Sequence, residues 1–263
     1  MNLYHLYRAM DFLEDHKKEI EEALYRRLAD LLNMDVDLVF YDTTSVHFET
    51  NDEDEELRRR GYSKNGRSDA PRIVVGMALT RDGYPVKSWV FPGNTTDVTT
   101  IEQIKTDLRG RRLNRCIFVA DAGMVSEANP AMLRRGGMWV IHSNDDSLSP
   151  EDLALAYKQL IRVEEAWRTM KSTIKIRPVF HRNPDRIRSH VFLCVLSLLL
   201  ERVAEHECGD TWPCLREELR SIKIGQLSAP HGTVYQTSPG SLHARNLLKT
   251  LKIDPLPSVL AVE

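Results

Sequence analysis

This sequence predicts an α/β fold: a mixed five-stranded sheet flanked by helices, with N-terminal and C-terminal helical extensions. Three observations predict it. A strand-like run over residues 38–48 precedes two further apolar runs joined across Asp82-Gly83. Short apolar runs then alternate with helical segments from residue 97 onward. Helical periodicity brackets the whole, over residues 4–33 and again from residue 150.

Each element has its own signal. In residues 4–33, Leu13, Ile20, Leu24, Leu28, Leu31 and Leu32 recur at helical spacing among charged residues, with a break near Glu14 that Asp15 can cap. Residues 38–48 are rich in Val, Phe, Tyr and Thr and predict a strand. Residues 49–72 lack a period and pass from an acidic to a basic cluster, so a mobile loop is expected. Asp82-Gly83 supplies the positive φ of a tight turn and predicts a β-hairpin over 73–80 and 84–91. A helix over 97–108, a strand over 116–121, a helix over 126–135 and a strand over 138–141 complete the sheet region. Ser149-Pro150-Glu151-Asp152 combines a capping hydroxyl, proline at the first helical position and an acid, and opens a helix running to about residue 175. An apolar helix over 185–206, a helix near 215–222, a Gly/Ser/Pro-rich stretch and a helix near 242–251 follow. The order is that of an RNase H-like domain at 37–206, after a helical segment at 1–36 and before a helical extension at 207–263.

Composition bounds the function. The 263 residues are 42% apolar and 28% charged, as in a soluble globular protein, and the formal net charge is -2, so any basic field is local. The four cysteines form no CxxC pair, and Cys116 and Cys194 sit in apolar runs; a reduced, cytoplasmic protein without structural zinc is expected. The first ten residues hold no signal-peptide core. The longest apolar run, 191–200, is too short to span a bilayer, so no membrane partner is expected.

Three acidic residues carry the chemistry. Asp42 ends the run Leu38-Val39-Phe40-Tyr41, and Asp121 ends Cys116-Ile117-Phe118-Val119-Ala120. On adjacent parallel strands both carboxylates emerge at one end of the sheet, where open α/β sheets place ligands. Glu164 belongs to a helical stripe in which Tyr157, Glu164 and Lys171 recur every seven residues, close to two turns. Hard oxygen ligands suit Mg²⁺ or Mn²⁺, and such clamps drive phosphodiester cleavage. Taken singly, each aspartate is more often plain turn chemistry. From residue 158 to 190 nine Lys/Arg face three Asp/Glu, and Arg162, Arg168, Lys171, Lys175, Arg177 and Arg186 are the expected DNA-phosphate contacts, with Tyr157 beside them. Arg109, Arg111, Arg112 and Arg115 form a second cluster. His181 and His190 lie in the basic region, with phosphate contact and a structural role both open.

The segments Tyr41-Asp42-Thr43-Thr44, Val119-Ala120-Asp121-Ala122-Gly123-Met124 and the run from Tyr157 through Glu164 to Arg168, continued by Met170-Lys171-Ser172, resemble the DDE-type bacterial insertion-sequence transposases. The subgroup is the one with a tyrosine, arginine, glutamate and lysine signature on the third acidic helix; Leu160 stands where that arginine is usual. The resemblance implies Mg²⁺-dependent hydrolysis at transposon ends and attack of the freed 3′-hydroxyl on target DNA. It also implies a triad of Asp42, Asp121 and Glu164, and a homodimer or larger synaptic assembly. The group's usual β insertion has no counterpart, since residues 141–150 leave room only for a loop, and its usual N-terminal region precedes where this chain begins. Two alternatives stand beside this: a general RNase H-like nuclease, and a truncated, inactive DNA-binding or regulatory derivative.

Overall fold

The computed structural model describes residues 2–32, 38–61, 69–109, 117–119, 149–230 and 232–262. Asp121, Arg111, Arg112 and Arg115, the helix expected over 126–135 and the strand expected over 138–141 lie outside them. The chain divides into two compact units, residues 1–198 and 199–263.

The first unit opens with helix α1 (Leu3–Asp15), whose N-cap Asn2 accepts a hydrogen bond from the Tyr4 amide. The chain turns at His16 into α2 (Lys17–Leu32). Strands β1 (Leu38–His47), β2 (Arg72–Thr80) and β3 (Pro85–Pro92) then form an antiparallel meander. Gly83, at φ 85°, makes the β2–β3 turn, and its amide bonds to the Thr80 carbonyl at 3.0 Å. Helix α3 (Asp97–Arg109) leads to β4 (Ile117–Val119), which pairs in parallel with β1. Helices α4 (Pro150–Lys158), α5 (Ile161–Ser172) and α6 (Pro184–Cys208) follow; the boundary between the units falls inside α6.

Strand alternation distributes the core over two faces. Phe40, Val46, Ile73, Val75, Met77 and Leu79 pack with Val163, Ala166, Trp167 and Met170 of α5 and with Ile187, Val191 and Cys194 of α6. On the opposite face Val39, Tyr41, Val74, Ala78, Trp89 and Phe91 pack with Ile104 and Leu108 of α3 and with Tyr25 of α2. Polar stitches reinforce that second face. Lys17 Nζ donates to the Ser88 carbonyl at 2.8 Å, the Ser88 amide donates to Glu21 Oε1 at 3.2 Å, and Trp89 Nε1 donates to Asp107 Oδ2 at 2.7 Å. The N-terminal helices thus fold as part of this unit.

The second unit holds α7 (Trp212–Leu219), an antiparallel sheet of β5 (Ile224–Ala229), β6 (Gly232–Thr237) and β7 (Val259–Val262), and α8 (Leu242–Thr250). Ala204, Leu215 and Leu247 form its core, with Trp212, Leu219 and Leu251 around them.

These observations correct the expected fold class. No five-stranded, mixed RNase H-like sheet is seen among the described residues. The first sheet is the antiparallel meander with the three-residue β4 at its edge, in the order β3-β2-β1-β4, and the second sheet is separate. Two of its strands, β5 and β6, arise from the Gly/Ser/Pro-rich stretch. Ile224 and Leu227 of β5 are largely exposed, so no buried face imposes the period-2 pattern that would have marked a strand.

Two further expectations change. Residues 49–61 are not a free loop: Asp54 accepts the amides of Glu56, Leu57 and Arg58, and Leu57 is buried in the core. The acidic and basic clusters answer each other there, with Asp54–Arg58 at 2.8 Å and Glu53–Arg60 at 3.1 Å. The helix expected over 151–175 is interrupted at Gln159 and Leu160. There the Leu160, Arg162 and Val163 amides bond three residues back, a tightening of 3₁₀ type.

Candidate metal and nucleic-acid site

Helix α5 is positioned by its buried stripe. Val163, Ala166, Trp167 and Met170 repeat at three- and four-residue spacing and fill the core against Phe40, Val75 and Met77. The opposite positions remain outside: Glu164 and Arg168 are exposed and Lys171 is half-buried. Glu164 and Lys171, seven residues apart, occupy one side of a single helix. Tyr157 belongs to α4, beyond the interruption, so the seven-residue stripe does not run along one continuous helix.

Asp42 enters from β1. It is two residues after Phe40 and four before Val46, both of which pack in the α5–α6 core, so alternation turns Asp42 to the same face of the sheet as α5. It is half-buried. Burial pushes the Lys171 ammonium below the usual lysine range and the Arg177 guanidinium adds to this, while Asp42 acts in the opposite direction. Asp42 and Arg177 therefore each lie within electrostatic reach of Lys171, at the C-terminal end of α5.

The remaining basic residues are dispersed in role. Lys175, at φ 61°, takes the left-handed position after α5 and is exposed, as is Arg177. Arg162 pairs with Glu165 at 3.2 Å. Arg186 is engaged elsewhere: it lies 4.3 Å over the Tyr7 ring and bonds Asp11 at 3.2 Å, holding α1. His181 stacks edge-on to Tyr7 and neighbours His190, whose Nε2 is 3.0 Å from the Ile176 carbonyl, so both rings have structural contacts. One feature escaped the sequence reading. Trp167, in the buried stripe of α5, holds an Nε1–H with no hydrogen-bond acceptor among the described residues. Periodicity registers its apolar bulk and is silent about the donor.

The donor chemistry can be tested on these residues. Asp42 and Glu164 offer hard carboxylate oxygens of the kind Mg²⁺ and Mn²⁺ take, beside cations suited to phosphate. Among the described residues no group of three or more His, Cys, Asp or Glu side chains is assembled, and the third expected carboxylate, Asp121, lies outside them. No described helix is long and apolar enough to cross a membrane. Compared with protein-family models and with curated proteins, the chain matches none.

Proposed function

We propose that the chain is the catalytic core of a DDE-type transposase, cutting DNA at transposon ends and joining the 3′-hydroxyl to target DNA. One observation carries this reading. Phe40 of β1 pairs in parallel with Val119 of β4, and Asp42 and Asp121 each stand two positions further along the sequence. Helix α5, bearing Glu164, packs on the β1 face that bears Asp42. On this reading Asp42, Asp121 and Glu164 hold the divalent cations. Bound Mg²⁺ or Mn²⁺ supplies positive charge for the attacking and leaving oxygens of a phosphodiester.

The protein's own side chains do the rest. Lys171, within electrostatic reach of Asp42, and Arg177, within reach of Lys171, neutralise the phosphate on the strand being cut. Half-burial of Lys171 strengthens that contact, because charge acts further where water is partly excluded. Lys175 and Arg168, both exposed, take neighbouring phosphates and fix the strand's register without reading bases. Assembly as a homodimer or larger synaptic complex, and Mn²⁺ as a substitute, belong to the same reading.

The test is cleavage of a supercoiled plasmid carrying the gene's own genomic flanks, with Mg²⁺ or Mn²⁺, by wild type beside Glu164→Gln. The expected result is metal-dependent nicking at the flanks, reduced to background in the variant. Folded wild-type protein that leaves the plasmid intact, or a variant that nicks as fast, would overturn the proposal.

A further inference from the structure

The second unit carries a charge asymmetry that the carboxylate site does not use. From Leu219 to Ile253 the sequence contains no Asp or Glu, yet it holds Arg220, Lys223, Arg245, Lys249 and Lys252. All five are exposed. Arg220 pairs with Glu217 at 3.3 Å, whereas the other four make no ion pair with any described residue.

The fold gathers these cations. In α8 the buried residues are Ala244 and Leu247, with Leu251 just past the helix packed in the same core, which leaves Arg245 and Lys249 one turn apart on the outer face. Lys252, at φ 54° in the turn closing the helix, follows Arg245 by seven residues. Lys223 is brought to the opening of α8 by a double stitch. Its amide donates to Ser238 Oγ at 2.8 Å and its carbonyl accepts from the Ser238 amide at 2.8 Å. The Ser241 amide, at the N-cap of α8, donates to Ser221 Oγ at 2.8 Å. Cations at a helix C-terminus answer its dipole, which accounts for Lys249 and Lys252. The dipole does not account for Lys223, for Arg245, or for 35 consecutive positions, residues 219–253, without a carboxylate.

We propose that this face of the second unit binds the sugar–phosphate backbone of nucleic acid without choosing sequence. Unpaired, exposed cations spread over a helix and the start of a strand suit a polyanion, and Gln236, exposed on the hairpin on the side that alternation gives Lys223, adds a neutral donor. An anionic membrane fits less well. The stretch has no Trp or Phe, and its one aromatic residue, Tyr235, is half-buried, so the anchors of surface-binding segments are missing.

The test uses the full chain in EDTA, so that cleavage plays no part. A labelled short DNA duplex is titrated by fluorescence anisotropy across salt concentrations. The quadruple variant Lys223→Gln, Arg245→Gln, Lys249→Gln, Lys252→Gln is compared with wild type and with Arg26→Gln, Arg27→Gln, Arg81→Gln as a charge control. Each lost phosphate contact lowers the slope of log affinity against log salt by about 0.9, so the quadruple variant should lose roughly three to four in slope and the control almost nothing. Lys223→Gln and Arg245→Gln alone should each lose about one contact, which keeps the test open if the quadruple variant unfolds. An unchanged slope would overturn the inference, as would tighter binding to phosphatidylserine vesicles than to the duplex. Plasmid cleavage together with an unchanged slope would remove this inference alone; a reduced slope without metal-dependent cleavage would remove the catalytic proposal alone.

Discussion

Asp42 on β1 supports the protonated state of Lys171 on α5, against the burial and the Arg177 guanidinium that both push that lysine down. This influence runs from the strand carrying the first carboxylate to the end of the α5 helix. Replacing Asp42 by Asn removes the one influence that raises the lysine. The Lys171 ammonium should then titrate at lower pH than in wild type, as followed by the chemical shift of a ¹³C-labelled lysine side chain. A titration that is unchanged, or moves upward, would show that the two do not interact in solution. Lys171→Met should leave folding intact and weaken duplex binding by the salt-dependent share of about one contact.

Gly76 tests the opposite face of the same sheet. It pairs with Thr43, diagonal to Tyr41 on the same face, and a Cβ there would meet the Tyr41 hydroxyl oxygen at 2.5 Å. Tyr41 is fully buried, donates to Thr100 Oγ1 at 3.1 Å and stands edge-on to Trp89, so it has no room to move aside. Gly76→Ala should therefore cost about 1–3 kcal/mol by overpacking. Tyr41→Phe alone should cost about 1 kcal/mol for the lost hydrogen bond. In the double variant the two costs should add to less than their sum, because removing the hydroxyl relieves the closest contact and leaves only the ring carbons at 2.9 and 3.1 Å. Additive losses in urea melts would refute this account of the glycine.

Asp54 gives a stability prediction with a sign. Burial opposes its ionisation, but hydrogen bonds from the Arg58 side chain and from the Leu57, Glu56 and Arg58 amides outweigh this and hold the carboxyl at about 2. A carboxyl lower in the folded than in the unfolded chain contributes stability above its ordinary value, near 3.9. That contribution is lost as pH falls from about 4 through about 2. Asp54→Asn should lower stability near neutral pH by about 1–2 kcal/mol. It should also flatten the acid limb of the stability profile, which denaturant melts at a series of pH values would record.

How far the sequence spoke depends on how strongly each segment is forced by burial. The hairpin at Asp82-Gly83 was legible because a turn that needs a positive φ leaves few alternatives. The strap of residues 49–61 was not. Its order comes from Asp54 gathering three amides and from Leu57 reaching the core, and neither leaves a periodic mark. The C-terminal strands were missed for a related reason: with Ile224, Leu227, Val259 and Leu260 all substantially exposed, the segment lacks the alternation of a half-buried sheet. Among the site residues, spacing alone joined Glu164 to Lys171. Local charge density named Arg186 as a DNA contact, and in the fold a contact 175 residues distant in sequence, with Asp11, ties it to α1.

That tie makes the docking of α1 sensitive to acid. Burial holds the His181 imidazolium below the usual histidine range, and His190 and Arg186 lower it further. Tyr7 lies edge-on to the same ring, and Asp11 holds Arg186, so every charged partner around His181 except Asp11 disfavours a second positive charge. The neutral ring is therefore the form that the packed cluster accepts. A histidine depressed in the folded state contributes stability above its ordinary value of about 6.5, and this is lost as pH falls below it. Hydrogen exchange of the α1 amides, corrected for the intrinsic effect of pH, should speed up between about pH 7.5 and 5.5. His181→Asn should remove most of that dependence. Docking should not fail altogether, because Ser189 Oγ donates to the Met10 carbonyl at 2.6 Å, a contact that does not titrate. Tyr7→Ala should loosen α1 at every pH. An α1 whose protection falls equally with pH in wild type and in His181→Asn would place the acid sensitivity elsewhere.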